Sequence, residues 1–88
     1  MVIVSNNLFN QSEYRTVLMV PLTANIRRES ALGNVRLSSG KTGLSKTSVA
    51  LTSQVVPIDK RRLLDRIGRV PDDLMPDIDR GLRLVLVL

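Results

Sequence analysis

Two hydrophobic periods divide this chain: short apolar or alternating runs up to about Pro57, and helical spacing after it. Met1-Val-Ile-Val4 is a β-branched apolar run that stops at the turn-forming cluster Ser5-Asn6-Asn7, and it reads as a buried strand. Asn6 to Ser12 reads as a polar loop, with Phe9 plugging the sheet edge. Thr16-Val-Leu-Met-Val20 is a second strand, and Pro21 ends its regular pairing. Leu22 to Asn25 continues into a loop that carries Arg27, Arg28 and Glu29. Asn34-Val-Arg-Leu37 alternates as a half-buried strand does, and Ser38 to Gly43 is a loop. Ser48 to Thr52 is the next strand, weakly prolonged through Val55 and Val56 and closed by Pro57.

The period then changes. Asp59 is an N-cap for a short helix over Lys60–Arg66, and Ile67 to Val70 is extended. Pro71-Asp72-Asp73 has the proline and the acids of a helix start. Leu74, Ile78, Leu82 and Val85 keep helical spacing, with Met75 and Leu86 beside them. An interior proline costs about 3 kcal/mol, so a break is expected at Pro76, with the main helix running from Asp77 to the C-terminus. Gly81 weakens that helix but permits close packing. Four or five short strands followed by a short and a longer helix give an α+β fold built on a small antiparallel or barrel-like sheet.

Composition narrows the chemistry. At 88 residues the chain is one domain, residues 1–88, and such a domain buries only about 60% of its unfolded surface, so oligomerisation is a natural remedy. With no Cys and no His, disulfides, the usual zinc and transition-metal sites, thiol nucleophiles and Ser-His-Asp triads are all excluded. No apolar run approaches the roughly 18 residues of a membrane span, and no signal peptide is read, so the expectation is a cytoplasmic protein that does not engage membranes.

The charge is +5, from 13 Lys and Arg against 8 Asp and Glu. The excess lies in the strand-rich part, up to Ile58, where only Glu13 and Glu29 oppose the cations. Lys60, Arg61, Arg62, Arg66 and Arg69 form a dense cluster; on a helix Arg62, Arg66 and Arg69 share one face, which is either a solvated surface or a polyanion site. Phe9 and Tyr14 are the only rings, which argues against open stacking platforms for single strands. Gly40-Lys41-Thr42 is not a phosphate loop, because Val35 stands where the motif needs glycine.

The order of segments resembles the MazF/PemK family of toxin endoribonucleases. The resemblance is carried by Val2-Ile-Val-Ser-Asn-Asn7 with Phe9-Asn10, by Val20-Pro-Leu-Thr-Ala-Asn25, by Gly43-Leu44 with Ser48-Val49, and by Gln54. Ile58-Asp-Lys-Arg-Arg-Leu63, Ile67-Gly-Arg-Val70 and the segment from Asp79 to Leu88 complete it. It implies an SH3-like antiparallel barrel flanked by helices, a homodimer, a cognate antitoxin, and cofactor-free, metal-independent cleavage of single-stranded RNA through the ribose 2′-OH. Guanidinium and hydroxyl groups can serve that chemistry without His.

By this resemblance Thr23 matches the family's catalytic threonine, whose hydroxyl addresses the scissile phosphate; locally, it is also a strand-end hydroxyl that can satisfy the backbone. Gln54 matches an RNA-contacting glutamine, and as a mid-strand amide it could equally serve a backbone group. Asn6, Asn25 and Ser48 stand near the same groove, and each is also a natural turn-former or strand-edge polar residue. The resemblance further implies a first strand, a long loop and an Arg-Pro pair ahead of Val2, the arginine being the principal catalytic group. Arg15, Arg27 and Arg28 are candidates for that charge by proximity alone. Ser53 stands where some relatives have an acid. The expectation is therefore an N-terminally truncated family domain with negligible RNA cleavage, or a remnant that binds antitoxin or RNA. A gyrase-poisoning relative of the same fold ends in a Trp-bearing tail, which this chain, without Trp, does not have.

Overall fold

Thr16–Val20 (β2) organises the first sheet in the computed structural model, which describes residues 1–63 and 69–88. It pairs antiparallel on one side with Val2–Ile3 (β1), setting Val2 opposite Val20, and on the other with Val56–Asp59 (β6), setting Thr16 opposite Asp59. Val4 N–H extends the first pairing to the Leu18 carbonyl at 3.0 Å. Pro21, lacking an N–H, ends β2 as expected, and the chain crosses to a second sheet. There Leu22–Thr23 (β3) and Val35–Leu37 (β4) flank Ser48–Ala50 (β5), all antiparallel. The Pro21 carbonyl accepts from Leu51 N–H at 3.0 Å, so this junction ties the two sheets.

Among the described residues six strands stand where the sequence reads four or five, because Leu22–Thr23 is a strand of its own and the weak prolongation after β5 is another. Thr52–Gln54 form a 3-10 turn that breaks β5 from β6. Pro57 does not close a strand but sits within β6, opposite Leu18; β6 is the outer strand of its sheet, where a missing donor costs no ladder bond. Two segments expected as loops contain single helical turns, Asn7–Asn10 (α1) and Ser39–Thr42 (α2). The second closes on Gly43, whose φ of +78° is open to glycine at little cost.

The C-terminal helix, Met75–Leu86 (α3), does not break at Pro76. The proline occupies the first turn, where backbone N–H groups have no intrahelical acceptor, so its missing donor loses nothing. Ile78 and Gly81 are buried, and Leu82 is half-buried. Val2, Val20, Leu37, Ala50 and Ile78 form the core, where strands of both sheets meet the helix. Asp59 caps as expected, its carboxylate accepting from Arg61 N–H at 2.8 Å. What it caps is a 3-10 turn, Lys60–Arg62, that gives way to extended Leu63, so the expected helix over Lys60–Arg66 does not form at its N-terminal end. Arg66 and Ile67-Gly68 lie outside the described residues. No helix among the described residues is long and apolar enough to cross a membrane.

Candidate functional site

Thr23 ends β3 opposite Val49, half-buried where the strand gives way to a turn. Its Oγ1 accepts from Asn25 N–H at 3.2 Å, and among the described residues the hydroxyl donates to no acceptor. Asn25 in turn caps the 3-10 turn Ile26–Ser30, its Oδ1 accepting from Arg27 N–H at 3.2 Å. The cap is why the chain turns here: a short polar side chain satisfies a donor that the turn orphans. Arg27 and Arg28 ride on this turn, both exposed, and Arg28 N–H is bonded to the Asn25 carbonyl. The turn lies against β5. One continuous segment thus carries a hydroxyl at a strand end and two guanidinium groups just beyond it.

Ser48 shares this neighbourhood through β5, adjoining Val49, which faces Thr23. It is buried, and its hydroxyl donates to the Lys46 carbonyl at 3.1 Å. Gln54 is not mid-strand: it is exposed at the end of the turn after β5, and its side chain has no hydrogen bond among the described residues. Asn6 is placed apart from the others, on the segment joining β1 to β2, where its Oδ1 caps α1 through Leu8 N–H at 2.8 Å. The structure therefore gathers Thr23, Asn25, Arg27, Arg28 and Ser48 about the second sheet and leaves Asn6 with the first.

The cationic cluster that begins at Lys60 gains a member the sequence does not show, Arg15. The register that sets Thr16 opposite Asp59 continues to bring Lys60 N–H onto the Arg15 carbonyl at 2.7 Å. Arg61 Nη2 lies 2.9 Å from Asp59, and the hydrogen-bonded guanidinium holds that carboxyl below the usual aspartate range. Arg69 pairs with Asp72 at 3.3 Å rather than joining Arg62 on a helical face.

A model of the PemK-like, MazF-like toxins of type II toxin-antitoxin systems matches residues 1–86. The chain belongs to this family. Endoribonuclease MazF6 of Mycobacterium tuberculosis, a member by name, is 37% identical over 86 residues, which are 98% of this chain and 75% of that protein. The fold agrees with that of the Mycobacterium tuberculosis toxin MazF-mt6, at a TM-score of 0.86 and 18% identity over 99% of this chain and 84% of that one. A mycobacterial endoribonuclease solved in complex with its cognate antitoxin superposes at a TM-score of 0.80 with 28% identity, covering 99% of this chain and 79% of that one. The α+β class with antiparallel sheets and a C-terminal helix is thus the architecture of MazF toxins, and endoribonuclease activity is that of the family.

Proposed function

We propose that this chain binds single-stranded RNA along the segment from Thr23 to Arg28, as the toxin of a toxin-antitoxin pair, in the cytoplasm and as a homodimer. The observation that carries the reading is the cap at Asn25, which sets two exposed guanidinium groups directly after a hydroxyl that donates to no acceptor among the described residues. The cleavage is attack of a ribose 2′-oxygen on the adjacent phosphorus. The 2′-OH gives its proton to solvent water, the new O–P bond forms as the bond to the 5′-oxygen breaks, and the departing 5′-oxygen takes a proton from solvent, leaving a 2′,3′-cyclic phosphate and a 5′-OH. Thr23 O–H donates to a phosphate oxygen, and guanidinium charge stabilises the phosphorane without metal or cofactor. The exposed amide of Gln54 and the amide donors of Asn25 are the further RNA contacts; Ser48, buried with its hydroxyl given to the Lys46 carbonyl, and Asn6, which lies with the first sheet, are support rather than contact.

Among the described residues no arginine is hydrogen-bonded to Thr23. That favours a second reading of these 88 residues as mainly a binding module, since a missing charge-stabilising donor costs about 10²–10³ in rate. A cognate antitoxin is the expected protein partner of either form, in keeping with the mycobacterial relative solved with its own antitoxin. Leu84, Leu86 and Val87 are exposed on or just after α3, and the small core leaves stability to be gained by covering them, which supports the dimer.

The test is incubation of the purified chain with a panel of single-stranded RNAs in the presence of EDTA, scoring binding and cleaved ends together. Binding with slow production of 2′,3′-cyclic phosphate ends, lost on 2′-deoxy substitution at the scissile position, supports the toxin reading. Binding with no cleavage leaves the binding module. An absence of both overturns the proposal.

A further inference from the structure

The two aromatic rings of the chain meet. Phe9, on α1, and Tyr14, just before β2, have ring centroids 5.0 Å apart with planes inclined at 32°. Phe9 is half-buried and Tyr14 is 65% exposed, so the first ring backs the second and the second keeps surface open to solvent. Tyr14 lines a cleft of about 460 Å³ whose other walls include Arg15, Lys60 and Arg61.

The charges of this cleft are set by strand register. The Lys60 N–H bond to the Arg15 carbonyl, at 2.7 Å, continues the β2–β6 pairing and places these two residues opposite one another. Like charges at opposed positions of an antiparallel pair are destabilising. Among the described residues neither is in a salt bridge: Lys60 Nζ donates to the Ser12 carbonyl at 2.8 Å, and Asp59 is bonded to Arg61 at 2.9 Å. Glu13 also lines the cleft and offsets one of the two cations.

We propose that this cleft is a nucleotide subsite, in which a base stacks on the exposed face of Tyr14 and the adjoining phosphodiester lies against Arg15 and Lys60. An exposed ring beside cations that outnumber the acids of the same cleft, Arg15, Lys60 and Arg61 against Glu13 and Asp59, is the combination by which proteins hold single strands irrespective of sequence. The inference rests on the RNA reading above and extends the RNA path. Arg15 and Pro21 bracket β2, and at about 3.3 Å per residue that strand carries the path roughly 20 Å from the Thr23 end.

Tyr14 is the only tyrosine, so fluorotyrosine incorporated into the full chain gives a single fluorine NMR signal from this cleft. The probe is a 2′-O-methyl oligonucleotide, which cannot be cleaved, with binding followed in parallel by anisotropy. The expected result is a shift of the Tyr14 signal that saturates with the anisotropy curve. Tyr14→Ala lowers affinity by about tenfold or more, Tyr14→Phe restores it, and Arg15→Gln with Lys60→Gln lowers the salt slope by about 0.7, the contribution of one phosphate, while circular dichroism is unchanged. If the oligonucleotide binds and the Tyr14 signal does not move, the subsite is wrong and the RNA reading stands. If nothing binds, both fail. A polyglutamate peptide that shifts the signal as far as RNA does overturns the proposal in favour of an acidic protein segment.

Discussion

Gly33 and Gly81 touch backbone to backbone: a Cβ added to Gly81 would lie 2.2 Å from the Gly33 carbonyl oxygen. This approach seats α3 on the turn that precedes β4, and it is closed by Thr52, whose hydroxyl donates to the same carbonyl at 2.7 Å. Gly33 also has a φ of +83°, so the turn and the contact both require glycine at that position.

Gly81→Ala is therefore expected to destabilise the protein although alanine is the better helix former. Neither the carbonyl nor the helix backbone can rotate away, so the cost is that of overpacking, about 1–3 kcal/mol or more. Thermal unfolding at fixed protein concentration checks it, and a Tm equal to or above that of the parent would refute the contact.

Thr52→Val keeps the shape and removes the donor. Thr52 is fully buried, so the Gly33 carbonyl would be left with no compensating water, at a cost of about 1–3 kcal/mol. Urea unfolding should show a lower midpoint with an unchanged slope.

Arg27→Ala combined with Arg28→Ala removes the two guanidinium groups after Thr23. If each meets one phosphate, the slope of log affinity against log salt for single-stranded RNA falls by about 1.4, while thermal stability stays within about 0.5 kcal/mol because both side chains are exposed.

Thr23→Ala should take residual RNA cleavage to background and leave RNA affinity in place, with Thr23→Ser retaining activity. A rate unchanged by the alanine variant would remove Thr23 from the chemistry.

Asp59 titrates below the ordinary aspartate range because Arg61 hydrogen-bonds its charged form and the Arg61 N–H does the same. A folded-state value below the unfolded one means that its contribution to stability is complete above the ordinary aspartate value. It is lost as pH falls through the depressed one. Carboxyl NMR should place the Asp59 midpoint below those of free peptides, and Arg61→Gln should move it back up.

The residues between Thr23 and Arg28 show how far local information reaches. A strand-end threonine, an asparagine that caps a turn and the arginines on that turn are neighbours in the chain, so their arrangement follows from short-range hydrogen bonds the sequence already encodes. The same holds for β2 and for the cap at Asp59. The order of such segments is also what tied the chain to its family. Pro57 and Pro76 look like breakers in the sequence because propensity alone cannot say that one lies on an outer strand and the other in a first helical turn, where no bond is lost. The pairing of Arg15 with Lys60, the meeting of Gly33 and Gly81, and the seating of Thr52 between them join residues far apart in the chain. Those contacts depend on strand register and helix docking, which are settled by burial of the whole core at once, and only the folded chain decides them.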